Sequence, residues 1–382
     1  MKKLALILCL AMLLNILPVS ALAAEQDPFA AAAEEVLKHL DEPFENALAS
    51  DDPEALYAAG QEYSERYSQR MPDAPTGDIL RAYQLYLKAA GLGHAKSQYN
   101  VSRFLSGVFQ YPIDQNDEES FRWAMEAAEQ GDLPAYSVVI NSYRKGTGVE
   151  QSEDSAKQWE EKLAADTAQL LKEASAPDCS DPEKLIMAAE SCQLGRGMEK
   201  DVDKALEYYQ RAAEAGNILG ARMLGNLYRQ AYVVEKDISK SIEWYTKAYE
   251  MGDLSSGYAL SSIYRYGGDR DGAEQSPEKA AAILQELAEK GYVPAQTELA
   301  DLYMSGEGVP WDSAKAFEWY LKAAAQDDAY AQYQLAEMFA YGLSGSDYKP
   351  LIEENRDLAK AFLTRAAENG YPGAKDALVG LG

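Results

Sequence analysis

The stretch from Asp312 to Gly342, DSAKAFEWYLKAAAQDDAYAQYQLAEMFAYG, is one copy of a unit that recurs along most of this 382-residue chain. Recurrence at a fixed period constrains a fold more than any local propensity. Each unit can bury its apolar face only against its neighbours. The unit reads as a helical hairpin. Asp312 is a preferred N-cap type, placed to accept from the free backbone N–H groups of the first turn. Ala316, Trp319, Tyr320, Ala323 and Ala324 then fall at helical spacing on one apolar face. Gln326-Asp327-Asp328 turns the chain, and Ala331, Leu335, Ala336 and Phe339 make a second apolar stripe that Gly342 closes as a C-cap. Paired alanines let two helix backbones approach closely, and the aromatics fill the remaining space.

The first-helix half recurs as AYQLYLKAAGLG (82–93), SFRWAMEAAEQG (120–131), ALEYYQRAAEAG (205–216), SIEWYTKAYEMG (241–252), AAILQELAEKG (281–291) and AFLTRAAENG (361–370), with a divergent copy at AKQWEEKLAAD (156–166). Four residues before each first small position stand Asp78, Asn116, Ser152, Asp201, Asp237, Ser276, Asp312 and Asn355, eight residues of capping type. They fix the register. In the second-helix half a leucine-like position (Val101, Val139, Leu224, Leu260, Leu299, Leu335, Leu378) is followed four residues on by an aromatic: Tyr143, Tyr228, Tyr264, Tyr303 or Phe339. Leu105 and Cys192 are variants at that position. Gly146-x-Gly148, Gly195-x-Gly197 and Gly306-x-Gly308 then form a tight loop where glycine removes the penalty for positive φ. The period is about 36–43 residues in most copies.

The third copy departs from this pattern. Thr167 stands where the turn glycine is expected, the helix is predicted to run on toward Ala174, and APDCSDP (176–182) interrupts before the next half. The expected organisation is a helical cap over 25–50, a first repeat block over 51–175, and a second over 176–382 ending in a truncated closing helix. Residues 1–24 read as a secretory signal. Lys2-Lys3 precede an apolar run from Leu4 to Leu17, with Ala21-Leu22-Ala23 as a small-residue cleavage site. That run is shorter than the roughly 20 residues of a membrane span. The expected location is therefore periplasmic or secreted.

The formal charge is −26, and loss of Lys2 and Lys3 takes it to about −28. Such a balance argues against nucleic acid, whose binding rests on phosphate neutralisation, and against insertion at anionic membranes. Export permits disulfides. A helix over 182–192, however, sets Cys179 and Cys192 roughly 15 Å apart, beyond bridging reach, so both are expected to stay reduced.

The pattern A-x-x-[WY]-[FY]-x-[KR]-A-A-x-x-G followed by L-[GA]-x-x-Y-x-x-G-x-G-V, over residues 53–382, resembles the Sel-1-like repeat family of tetratricopeptide-superfamily α-solenoids. The resemblance implies an all-α, right-handed superhelical solenoid of helix-turn-helix repeats, no cofactor, and a role in holding other proteins. Exported members of that family serve in envelope signalling, assembly or host interaction. A cysteine-rich branch is linked to penicillin binding and β-lactam hydrolysis. This chain lacks those cysteines, so that activity does not carry over.

Catalytic and metal-binding constellations are weak. His39 and His94 fall in the cap helix and in a hairpin turn, each without a second histidine or a cysteine nearby, and are expected at the surface. S-x-x-K spacings occur at Ser142–Lys145, Ser276–Lys279 and Ser346–Lys349, without S-D-N or K-T-G downstream. No metal site and no catalytic residue is predicted. The informative positions lie on the outer face of the second helices, which in a tetratricopeptide-like arrangement lines the concave groove. They are Tyr99, Arg103, Asn141, Arg144, Lys145, Arg222, Asn226, Arg229, Tyr258, Arg265, Tyr266, Asp301, Met304, Tyr333, Glu337 and Tyr341. Arg and Tyr are the side chains that interfaces enrich. The expected function is a non-catalytic scaffold whose groove binds an acidic or C-terminal peptide segment. A hydrolase of β-lactam or peptidoglycan fragments and a glycan-binding module are the alternatives. Pairing of these Arg and Tyr side chains with neighbouring acids is the simpler structural reading.

Overall fold

The computed structural model describes residues 28–40, 42–69, 76–107, 111–230, 234–271, 273–344 and 350–381. Helices α1 (Pro28–Lys38), α2 (Glu42–Leu48), α3 (Pro53–Gln69) and α4 (Thr76–Gly91) open the chain. Then follow α5 (Ala95–Leu105), α6 (Asp117–Glu129), α7 (Leu133–Lys145), α8 (Glu153–Ala174), α9 (Pro182–Leu194), α10 (Val202–Glu214), α11 (Ile218–Gln230), α12 (Ile238–Glu250) and α13 (Leu254–Asp271). The C-terminal part holds α14 (Pro277–Glu289), α15 (Val293–Ser305), α16 (Ser313–Ala324), α17 (Ala329–Tyr341), α18 (Arg356–Glu368) and α19 (Ala374–Gly380). Between α17 and α18 a two-stranded antiparallel ribbon, β1 (Leu343–Ser344) and β2 (Pro350–Ile352), is a feature the repeat pattern did not predict. The predicted signal segment and the Ser346–Lys349 spacing lie outside the described residues.

The repeat register holds at its caps. The side chains of Asn116, Ser152, Asp201, Asp237, Ser276, Asp312 and Asn355 each accept from the backbone N–H three residues on. The backbone N–H of the cap also reaches the carbonyl at the aromatic position of the preceding helix. Ser152 donates to Tyr143, Asp201 to Cys192 and Asp237 to Tyr228, each at 2.9 Å, and Asp312 donates to Tyr303 at 3.0 Å. Asp78 corrects the sequence reading, because it is no cap. The N–H of Gly77 finds the carbonyl of Asn369 at 2.7 Å, α4 begins upstream at Thr76, and Asp78 is buried in its first turn.

Helices joined across a Gly-x-Gly loop pack more closely than those joined by the short turn. The second glycine of the loop makes this stacking possible. Gly148 has φ +72°, and a Cβ there would sit 1.9 Å from the carbonyl oxygen of Asp117, at the start of α6, the first helix of the preceding hairpin. At Gly308 the equivalent distance, to the carbonyl of Pro277, is 2.3 Å. Alanines 124, 128, 189, 205, 212 and 221 are fully buried where helix backbones approach.

By its contacts the chain divides into two compact units, a central one (51–58 and 83–275) and a terminal one (1–50, 59–82 and 276–382). In the central unit α8 does run on to Ala174, and the 175–181 turn is held in place by Arg211. Its guanidinium donates to the carbonyls of Ala174 (2.8 Å), Ala176 (3.0 Å) and Cys179 (3.3 Å), satisfying groups that a helix end leaves open. Cys192 is buried and Cys179 packs against the same core, and both are free thiols.

The terminal unit joins residues from both ends of the sequence. Helix α1 packs on α16 and α18, with Phe29 edge-on to Phe317 at 5.0 Å, and Phe317 in turn against Phe339. At its centre the fully buried carboxylate of Asp327 accepts from Gln332 (2.8 Å), Asn369 (2.9 Å) and Arg365 (3.2 Å), and pairs with Arg81. Asn369 also accepts from Arg81 at 2.9 Å, and Arg66 donates to the carbonyl of Gln326 at 3.0 Å.

Candidate protein-binding surface

Helix α11 presents Arg222, Asn226 and Arg229 at i, i+4 and i+7, one face of the helix. On α13, Tyr258, Ser262 and Arg265 have the same spacing. The two faces adjoin, because the guanidinium of Arg229 donates to the hydroxyl of Ser262 at 3.2 Å. Arg222 meets the carboxylate of Asp253 at 3.4 Å, and Asp253 in turn accepts from the N–H of Ser256, in the first turn of α13. Asn226 accepts from the Tyr245 hydroxyl at 2.6 Å. The guanidinium of Arg265 lies 4.9 Å from the ring centroid of Tyr266, which is exposed. Six of the predicted groove residues, Arg222, Asn226, Arg229, Tyr258, Arg265 and Tyr266, thus belong to one pair of helices.

The other predicted positions have local partners of their own. Arg103 lies 5.6 Å from the ring centroid of Tyr99, one turn earlier on α5. Arg144, exposed at the end of α7, pairs with Glu160 of α8, and Asn141 is exposed one turn before it. In the terminal unit Tyr333 packs on Tyr371 at 4.9 Å between centroids, and Tyr341 is largely exposed. Asp301 accepts from the hydroxyls of both Tyr320 and Tyr330.

Sequence reasoning missed a mixed-charge cluster where α5, α7 and α9 begin or end. Lys96 and Glu183 approach to 3.5 Å, and Arg196 pairs with Glu190 at 3.0 Å. Asp132, the N-cap of α7, is pushed up to about 6 by burial, against the pull of the Ala135 N–H and of Arg196 and Lys96. Burial, with Asp132, Glu190 and other acids nearby, raises the Tyr57 phenol to about 12. The signal in the sequence was the capping type of Asp132, which reads as structural alone.

The two histidines are accounted for by local structure. His39 bridges Glu35 and Glu42 on the first helices. His94 corrects the expectation of a surface residue. Its ring is mostly buried against Tyr57 and caps α5 by accepting from the N–H of Ser97. Ser142 is buried in α7 and Ser276 caps α14, so neither S-x-x-K serine stands in an open site. Among the described residues no helix is long and apolar enough to cross a membrane.

The repeated hairpin, its caps and its glycine loop match the Sel1 repeat profile in eight segments: 53–94, 95–132, 141–166, 185–217, 218–253, 257–292, 293–328 and 329–371. The chain belongs to the Sel1 repeat family. Segments such as 293–328 begin at the helix before the Gly-x-Gly loop, the pairing that packs more closely here. A curated relative, an uncharacterized protein of Neisseria meningitidis serogroup B, is 28% identical over 288 residues, which are 70% of this chain. The match spans about half (50%) of that relative's length. Among solved structures, a Sel1 repeat protein from Oxalobacter formigenes is 21% identical, covers 97% of this chain and 100% of its own, and superposes with a TM-score of 0.45. A protective antigen of uropathogenic Escherichia coli with an SLR fold is 23% identical over 91% of this chain and 87% of its own, with a TM-score of 0.39. Sel1 repeat proteins are in general protein-interaction scaffolds, and this chain is a Sel1 repeat protein throughout its matched segments.

Proposed function

We propose that this Sel1 repeat protein is an exported, non-catalytic scaffold of the bacterial cell envelope that grips an acidic protein segment, or a chain's terminal carboxylate, on the α11–α13 face. The reading rests on Arg222 and Arg229 of α11 standing beside Tyr258 and Arg265 of α13, joined through the Arg229–Ser262 bond. Arginine binds carboxylates through a planar fork of donors, and tyrosine adds area at low entropic cost. That these arginines gather here in a chain with 36 basic and 62 acidic side chains supports a role in recognition. The Asp253 carboxylate beside Arg222 is an example within the chain of the chemistry this reading assigns to the face, and supports it. Export rests on Lys2-Lys3, the Leu4–Leu17 run and the Ala21-Leu22-Ala23 site.

Titration of the full mature chain with a labelled peptide ending in Asp-Glu-Leu and a free carboxylate tests the reading. Arg229→Ala with Arg265→Ala should weaken binding at least tenfold. Unchanged affinity would overturn the site, and turnover of nitrocefin would overturn the non-catalytic assignment. For export, the intact mass of the protein recovered from an envelope fraction should correspond to a chain starting near Ala24 or Glu25.

A further inference from the structure

A second surface lies in the central unit between α10 and α12, with Ala221 of α11 also in its lining and none of the arginines or tyrosines of the α11–α13 face. There a cleft of about 510 Å³ opens to solvent. Ala213, Ala221 and Met251 line it with the half-buried ring of Trp244, and Glu214 and Glu250 stand exposed at its rim. The apolar lining is wide enough for two or three side chains, within the usual range of ligand clefts.

The charge around the cleft is unbalanced. Lys247 is the basic residue of its lining, and its ammonium is committed to Glu243 at 2.7 Å. Glu214 accepts only a neutral amide bond, from Gln210 at 2.9 Å, and Glu250 has no ion-pair partner among the described residues. Among the described residues, two carboxylates without counter-cations therefore line the same cleft as an indole. The same site shows what such an arrangement attracts, since the Lys247 ammonium lies 4.0 Å from the Trp244 ring centroid. A cation over an indole, with its stem on apolar surface and its head between carboxylates, gains from all three contacts.

We propose that this cleft docks a basic segment of a partner protein, seating an arginine or lysine stem and an adjacent aliphatic side chain against Trp244, Met251 and Ala213, with the cationic head between Glu214 and Glu250. Charge complementarity selects this occupant. The acidic segment proposed for the α11–α13 face would be repelled here, so the chain presents two surfaces of opposite preference. The proposal stands independently of the α11–α13 reading.

The test is fluorescence anisotropy of a labelled acetyl-Gly-Arg-Leu-Gly-Arg-Gly-amide peptide with the full mature chain at about 0.15 M salt, where the Debye length is about 8 Å and diffuse attraction is screened. Saturable binding is expected, weakened at least tenfold by Glu214→Gln with Glu250→Gln. Glu118→Gln with Glu129→Gln, which removes the same charge from α6, should change it less than twofold. Trp244→Phe, which keeps the packing, should weaken binding severalfold, with circular dichroism confirming the fold. Arg229→Ala with Arg265→Ala should leave it unchanged, which separates this site from the other. Equal loss in both glutamate pairs would reveal attraction to net charge alone, and equal binding of a Glu-for-Arg peptide would remove the basis for selection. Either result overturns the proposal. So would concentration-dependent self-association abolished by Glu214→Gln with Glu250→Gln, which would assign the cleft to a second copy of the chain.

Discussion

Asp327 occupies a turn position that glycine fills in the sister hairpins, where Gly93, Gly131, Gly216, Gly252, Gly291 and Gly370 all have positive φ. It adopts φ +63° with a side chain, at a steric cost that its ion pairs to Arg81 and Arg365 offset. Replacement by Ala leaves two guanidinium groups with small exposure and no carboxylate between them. Removing one partner of such a buried pair costs about 3–5 kcal/mol, so a marked fall in the unfolding midpoint of Asp327→Ala by calorimetry is expected. Asp132 has the opposite sign. Its folded pKa of about 6 lies above the ordinary 3.8, so the buried carboxylate weakens the fold above about pH 6. That penalty fades as the pH falls toward 4, because the folded state then binds the proton more tightly than the unfolded chain. Asp132→Asn keeps the cap acceptor and removes the penalty. It should stabilise by on the order of 2 kcal/mol at pH 8, with the gain shrinking below pH 6 in denaturant titrations.

At the scale of the helix pair, two kinds of glycine separate cleanly. A Cβ at Gly131 meets nothing within 4 Å, whereas one at Gly148 would collide with the Asp117 carbonyl. Gly131→Ala should therefore cost only the roughly 1 kcal/mol of a side chain at positive φ. Gly148→Ala adds a collision with backbone that cannot relax without parting two repeats, so it should lower stability severalfold more in matched urea titrations. Arg211→Ala strips three carbonyls of their donor. It should free the 175–181 turn, seen as faster amide exchange there and at the C-terminal end of α8.

These features explain how much the sequence disclosed. Caps such as Asp201 and Asp312, and the Gly306-x-Gly308 loop, act within a few residues of their own position, so a repeat count found them. Arg81 and Asp327 are far apart in sequence, and the only written sign of their pairing was an aspartate where a glycine was due. Of the proposed binding residues, the α11–α13 set shares a face because both helices keep the repeat register. Arg103 and Arg144 fall to nearer partners that periodicity does not reveal. The Trp244 cleft escaped notice because a tryptophan three residues before a lysine reads equally well as an ordinary helix surface.

On the scale of the molecule, the terminal unit draws on α1, α2 and parts of α3 and α4 together with α14 to α19. Removing residues 25–50 should therefore loosen repeats remote in sequence. Loss of Phe29 from its place on Phe317 should raise hydrogen exchange in α16 and α18, while the core of α10 and α11 keeps its protection. Contacts that span most of a chain also form late, because a long loop must close before they contribute. A nascent chain leaving the ribosome would thus expose Phe29, Ala33, Val36 and Leu40 until the final repeats had been synthesised. Its earliest helices would wait for its latest ones, in a form loose enough for the threading that the proposed export requires and prone to sticking wherever no chaperone shields it.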